Sequence, residues 1–319
     1  MCVLITGGAG FIGSTLADKL LLVGKKVVVL DNFNDYYDPS LKERNIACNL
    51  NNPNYRLYRG DVCDQQIMEQ ILNENDIEAV VHIAASAGVR ASIENPEKFV
   101  IANILGTLNV LERMKNKGIK KLIFASSSSV YGNCVAEKFS EDLKVSEPIS
   151  PYAATKSACE QMIYSYSFLY NIHSVCLRFF TVYGPRQRPD LAIRKFVDLI
   201  EAGKPIPVFG DGNTKRDYTY IDDIVDGVCA AIEYDKTPYE IINLGGDHPI
   251  VLNEMIEIIE KQIGKKSTRE VLPSQKGDVD KTISDITKAK NLLNYHPQIS
   301  FKEGIKRFLS WRDEQNNGL

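Results

Sequence analysis

Tyr152 and Lys156 stand four residues apart, so on a helix they share one face, and together they could move a proton. A free tyrosine ionises near pH about 10 and is a poor base at neutrality. An adjacent ammonium would favour the phenolate and let Tyr152 exchange a proton with an alcohol. The spacing alone is common on surface helices. It gains force from the run Ser126-Ser127-Ser128-Ser129-Val130-Tyr131-Gly132, which directly follows an apolar strand segment.

The second constellation is Thr6-Gly7-Gly8-Ala9-Gly10-Phe11-Ile12-Gly13, set after the first apolar run and opening a helical pattern. The first glycine permits a tight turn, the second lets backbone approach a pyrophosphate, and the third lets the helix pack closely on the sheet. Gly7, Gly10, Phe11, Ile12 and Gly13 are thus the expected cradle, with phosphates received by the free amides and positive dipole end of the helix. Asp31 closes the second strand eighteen residues after Gly13, where a carboxylate would accept the ribose hydroxyls. Asn32, Phe33 and Asn34 follow it with no arginine for a 2′-phosphate, which favours NAD over NADP, with Asn32 and Asn34 part of the expected site. Asp61-Val62 and Ala84-Ala85 close the third and fourth strands, placed to bracket adenine and the cofactor's ribose.

The elements that must position these groups are legible as β-branched runs at 3–6, 26–30, 56–59, 79–83, 121–125 and 174–178, separated by segments of helical spacing. This alternation predicts an α/β fold, a Rossmann-type doubly wound parallel sheet whose site lies at the strands' carboxyl ends. Beyond residue 180 the prolines at 185, 189, 205 and 207 break the chain into shorter pieces, with helical spacing at 192–202, 221–233, 252–263 and 287–293. Residues 1–180 are expected to form the NAD-binding domain and 181–319 mainly a smaller C-terminal α/β substrate-binding lobe, some segments returning to the first sheet.

Composition narrows the class. Against 38 Lys plus Arg stand 41 Asp plus Glu in 319 residues, a net charge of −3 without a basic block, so neither nucleic acid nor a membrane surface is an expected partner. No apolar run approaches the ~20 residues of a membrane span, and the first apolar segment, running straight into a glycine turn, is not expected to be a signal peptide. The seven cysteines are scattered without a Cys-x-x-Cys pair, as expected of reduced thiols in the cytoplasm, and the four isolated histidines offer no metal site.

The glycine triplet, the serine-rich strand end and Tyr152-x-x-x-Lys156, joined by Arg216-Asp217-Tyr218-Thr219-Tyr220-Ile221-Asp222-Asp223, resemble the nucleotide-sugar epimerase branch of the extended short-chain dehydrogenase/reductases over essentially the whole chain. The resemblance implies Tyr152 as acid/base and Lys156 as the residue that lowers its pKa and holds the nicotinamide ribose. It implies Ser127 on the reacting oxygen, with Ser128 the rival because the register of four serines is ambiguous by one. Asn103 would support Lys156 through a water. Related dehydratases carry Thr-Asp-Glu where this chain has Ser127-Ser128-Ser129, and decarboxylases a glutamate at Ser129; without those acids the simplest chemistry is oxidation and re-reduction at one carbon.

Three segments look most like the UDP-glucuronate 4-epimerases: Asp31 to Asp38, Ala87-Gly88-Val89-Arg90, and the stretch from Arg178 to Asp190 containing Thr181, Arg186 and Arg188. A ring of hydroxyls from Ser127, Ser128, Ser129 and Thr181, with Arg188 or Arg90 nearby, would bind a uronate carboxylate without pressing a full positive charge against a β-keto acid. The family pattern offers Arg216 for the diphosphate, Lys204, Val208 and Phe209 for the uridine, and Asp278 near the end. Gln275-Lys276-Gly277-Asp278 departs from the relatives' arginine, leaving Lys276 or Arg269 as substitutes. Relatives pair two helices per subunit into a dimer, here 102–117 and 152–170, with Ile104, Leu108, Leu111, Met162, Tyr166 and Leu169 as interface or core positions. A UDP-sugar substrate and a homodimer are therefore expected. The alternatives are a 4-epimerase of UDP-glucose or UDP-N-acetylglucosamine, a net oxidoreductase or decarboxylase of nucleotide sugars, and an NAD-binding regulatory protein without catalysis.

Overall fold

The apolar runs and the helical stretches between them alternate as β1 (Cys2–Thr6), α1 (Phe11–Leu22), β2 (Lys26–Asp31), α2 (Pro39–Ile46), β3 (Tyr55–Arg59), α3 (Gln65–Glu74) and β4 (Ala79–His82). There follow α4 (Val89–Glu94), α5 (Pro96–Phe99), a π-helical turn (Val100–Leu105), α6 (Gly106–Lys117), β5 (Lys121–Ser127), α7 (Pro151–Tyr170) and β6 (His173–Phe179). The later half contributes β7 (Thr181–Tyr183), α8 (Ala192–Glu201), β8 (Ile206–Phe209), β9 (Lys215–Tyr220), α9 (Ile221–Glu233), β10 (Tyr239–Leu244), β11 (Pro249–Val251), α10 (Leu252–Ile263), β12 (Arg269–Leu272), α11 (Thr287–Leu293) and α12 (Phe301–Asn316). This computed structural model describes residues 1–274 and 279–316. Lys276 and Asp278 lie outside the described residues.

Seven strands form one parallel sheet in the order β10-β6-β5-β4-β1-β2-β3. Winding reverses between β1 and β4, which opens a crevice at the carboxyl ends of the strands. β10, from the later half of the chain, is the edge strand beside β6. Two smaller sheets, β11-β9-β7 and β12-β8, build the remainder beside it.

The sheet is buried on both faces, as its near-continuous apolar strands require. Leu16, Ala17 and Leu20 of α1 pack with Ile224 and Val228 of α9 on one face; Met68, Ile71, Val110, Leu111, Met114 and Ile163 of α3, α6 and α7 cover the other. Each such aliphatic side chain is worth about 1.5–3 kcal/mol when fully buried.

β5 runs two residues past the expected end and carries Ser126 and Ser127 into the sheet. Successive side chains on a strand face opposite ways, so these serines meet different neighbours. On the expected dimer helices, Leu111 is core rather than surface, and Ile104, Met162 and Tyr166 pack against that core, leaving Leu169 exposed. Among the described residues no helix is long and apolar enough to cross a membrane.

Candidate active site

The crevice begins at the glycine turn. Gly7 adopts φ +72°, and a Cβ there would sit 2.8 Å from the Ala84 amide nitrogen, where β4 passes. At Gly13 a Cβ would press into the Gly7 carbonyl and lie 2.7 Å from Gly8 Cα, so only glycine lets α1 start this close to the turn. Gly10 caps α1 without any side-chain hydrogen bond to its amides, leaving the helix start open to an anion. Phe11 is buried behind the turn and Ile12 packs against the same core.

Asp31 stands at the end of β2, buried, with its carboxylate accepting from the Ala9 amide at 3.0 Å, the Phe33 amide at 2.9 Å and Lys42 Nζ at 2.9 Å. Lys42, unforeseen in the sequence, reaches this acid from α2 with its side chain only 7% exposed. Asn32 donates to Asp61 at 2.8 Å and accepts from the Asn34 amide at 3.1 Å. Burial pushes the Asp61 carboxyl up, but hydrogen bonds from Cys63 and Asn32 outweigh it and hold the acid below its ordinary value. Val62 is held by Asn109, which donates to its carbonyl at 2.7 Å, and the Ala84 amide donates to Thr6, with Ala85 the next residue along the same rim. The expected adenosine-side residues thus meet along one rim.

Across the switch point α7 starts with Ser150 as its cap, accepting from the Ala153 amide at 3.2 Å, and Pro151 in the first turn. This fixes Tyr152 at the helix start, edge-on to Phe99 at 6.1 Å. Burial raises the Tyr152 phenol, while the Ser127 hydroxyl and the Arg188 guanidinium pull it back. Lys156 donates to the Ala125 carbonyl at 2.7 Å and lies 4.7 Å over the Phe124 ring. Burial draws its ammonium down to about 8. Asn103, in the π-helical turn, commits its amide to Ser86 at 2.8 and 3.1 Å and to Thr155 at 2.9 Å. It is tied to α7 through Thr155, which donates to the Tyr152 carbonyl at 2.8 Å, and through its own carbonyl, which accepts from Cys159 at 3.3 Å.

The four serines meet different partners. Ser127 shares a hydrogen bond with Ser129 at 2.9 Å and faces Tyr152, while Ser126 turns to Glu160 of α7 at 2.5 Å. Ser128 and Ser129 line an open cleft with Thr181, Arg216 and Thr282. Arg188 closes a fork on Asp190 at 3.0 and 2.8 Å and lies 5.2 Å over the Tyr36 ring. Arg90 lies 4.6 Å over the Phe209 ring.

Two expected substrate residues lie elsewhere. Arg186 pairs with Asp18 of α1 at 2.7 Å, because its backbone at φ +66° turns the side chain to that helix. Val208 is 3% exposed and packs in the core, since alternation on β8 turns Phe209 outward in its place. Arg269 donates to Asn253 at 2.9 Å.

The sequence reading passed over Lys42, Glu160 and Arg178. Glu160 had a signal: Tyr152, Lys156 and Glu160 recur at intervals of four, and so share a face of α7.

Residues 4–308 match the family model described as GDP-mannose 4,6 dehydratase. The chain is 49% identical to a UDP-glucuronate 4-epimerase of Thermodesulfobacterium geofontis, over 98% of this chain and 96% of that protein. It superposes with a TM-score of 0.93 on the UDP-glucuronic acid 4-epimerase of Bacillus cereus in complex with UDP-glucuronic acid and NAD, at 38% identity, covering 99% of this chain and 100% of that one. A UDP-glucose 4-epimerase of Thermotoga maritima with UDP-glucose gives a TM-score of 0.91 at 33% identity over 99% and 100% of the two chains.

Proposed function

The chain belongs to the GDP-mannose 4,6-dehydratase family of extended short-chain dehydrogenase/reductases, and from that premise we infer that it is an NAD-dependent UDP-glucuronate 4-epimerase. It interconverts UDP-glucuronate and UDP-galacturonate. One observation of the site carries the uronate reading: the hydroxyls of Ser128, Ser129 and Thr181 line the cleft, and among the described residues lining it none is a carboxylate. Hydroxyl donors hold a uronate carboxylate without the acid that would drive elimination of water.

The residues present fit NAD. The turn admits no side chain at Gly7 or Gly13, the amides of α1 are uncapped, and Asp31, with Asn32, Asn34 and Asp61, forms the rim for the adenosine half. When bound, NAD supplies the acceptor and then the donor of a hydride for carbon 4 of the sugar, together with a cationic ring that favours the phenolate. Tyr152 takes the proton of the sugar 4-hydroxyl, and Ser127 donates a hydrogen bond to the same oxygen. The 4-keto sugar turns about its diphosphate link and presents the opposite face, after which Tyr152 returns the proton. Arg216, which lines the cleft, holds the diphosphate; Arg188, already paired with Asp190 and near enough to act on the charge of Tyr152, stands by the sugar without tightly pairing with its carboxylate. That restraint protects the β-keto acid from losing carbon dioxide.

The test is incubation of the purified protein, without added cofactor, with UDP-glucuronate, UDP-glucose and UDP-N-acetylglucosamine in separate reactions resolved by chromatography. UDP-galacturonate from the first alone is the expected result. Conversion of the neutral sugars alone would keep the mechanism and overturn the specificity; NADH accumulating at 340 nm would mark a net oxidoreductase instead.

The homodimer reading rests on an exposed apolar stripe: Val100, Ile101 and Leu105 beside α6, and Tyr164, Phe168 and Leu169 on α7, the last two 76% and 61% exposed. A second copy related by a twofold axis would cover both helices at once. The seven unpaired thiols suit a reducing cytoplasm.

A further inference from the structure

One turn beyond Lys156 on α7, Glu160 is 3% exposed and meets Arg178 of β6 through a fork, Nε to Oε1 at 2.9 Å and Nη2 to Oε2 at 2.7 Å. Arg178 is 1% exposed and stacks 4.7 Å from the Tyr131 ring. Ser126 and Arg178 are partners across β5 and β6, and the Ser126 hydroxyl donates to the same Oε1 at 2.5 Å. Lys156 grips the preceding residue, Ala125, by its carbonyl at 2.7 Å. Two successive residues of β5 are thus clamped by two successive turns of α7, and the next residue on the strand is Ser127.

We propose that Glu160 is a positioning residue for the proton-transfer pair: locked by Arg178, its carboxylate sets the end of β5 against α7 and supplies the counter-charge of the Lys156 ammonium. The proposal rests on the reading of Tyr152 and Lys156 as that pair. A buried charge pair is a poor way to gain stability compared with apolar packing, so a role in placement and charge accounts for its presence where stability does not.

The groups around Lys156 fit this. From α7 come Tyr152, Cys159 and Glu160; from β6, Cys176 and, behind the carboxylate, Arg178; from β4, His82, which burial keeps neutral with a pKa of about 3; β5 offers only the Ala125 carbonyl and the Phe124 ring. Glu160 is the anion among them. Burial lowers the Lys156 ammonium to about 8, and the thiol of Cys159 and the carboxylate of Glu160 act in the opposite direction.

The experiment follows Lys156 by NMR of protein labelled at lysine Cε, assigned with Lys156→Met, in the wild type, in Glu160→Gln, and in Glu160→Gln/Arg178→Gln, which removes both charges of the fork. Lys156 is expected to titrate roughly one pH unit lower in Glu160→Gln, the order of shift that loss of an opposite charge produces, and lower by less in the double variant, where the Arg178 cation is lost as well; the basic limb of kcat should move down with it. A titration unmoved in the double variant overturns the proposal. Ser126→Ala, which keeps both charges, tests placement: kcat falling about tenfold with KM unchanged is expected, and an unchanged kcat overturns that half. The titration needs no substrate, so a wild type that converts no UDP-sugar defeats the functional reading while leaving Glu160 to be judged by its effect on Lys156.

Discussion

At the residue scale the chemistry rests on a phenol that must lose its proton in a buried place. Burial raises Tyr152, with Ser127 and Arg188 opposing, so the unassisted side chain is protonated at neutral pH and the cation of the bound cofactor must complete the shift. Tyr152→Phe is expected to lower kcat by about 10²–10⁴-fold while NAD remains bound, measured by chromatographic rate and by the absorbance of nucleotide released on denaturation. Lys156, drawn down by burial to about 8, loses its charge as pH rises through that value, so kcat should decline above about pH 8. A kcat flat to pH 10 would contradict a role for the ammonium. Tyr152, Lys156 and the serine run were visible in the sequence because spacing along one helix or strand is a local property. Which serine lies beside Tyr152 was not, since that depends on where β5 ends against α7.

At the scale of elements, strands and helices are pinned to one another by polar groups inside the core. His82 at the end of β4 bridges Thr6 of β1 at 2.7 Å and Thr107 of α6 at 3.0 Å. Burial, helped by the Lys156 charge, holds its pKa near 3 against an ordinary value of 6.5. A depressed base binds fewer protons folded than unfolded, so its contribution is fully present above pH about 6.5 and is lost as pH falls toward 3. Denaturant unfolding should therefore show lower stability at pH 5 than at pH 7, with the difference reduced in His82→Gln. The Glu160–Arg178 pair acts similarly between α7 and β6: Arg178→Met leaves a buried carboxylate alone and is expected to cost about 3–5 kcal/mol by the same measurement. At the glycine turn, Gly13→Ala would push α1 off the Gly7–Gly8 backbone, and the purified variant should retain little NAD.

At the scale of the molecule, the later half of the chain packs against the first sheet, and the proposed homodimer would set one copy against another. Light scattering should give about twice the 35.7 kDa chain mass, and Phe168→Glu, a charge on the exposed face of α7, should return it to one. The alternation of apolar strands and helices was sufficient to place the doubly wound sheet, because periodicity records which faces are buried and the glycines record where backbone must approach backbone. Long-range pairing is not recorded in that way. That β10 joins β6, that Lys42 folds back onto Asp31, that Arg186 leaves the cleft for Asp18 and that Val208 faces inward all depend on where distant segments meet. Sequence by itself determined the fold class, the glycine turn and the shared helix face of Tyr152 and Lys156, each specified within a few residues of chain. Only the tertiary structure decided which charges neutralise one another, because the free energy of a buried charge depends on the neighbours brought to it through space and not on those beside it in the chain.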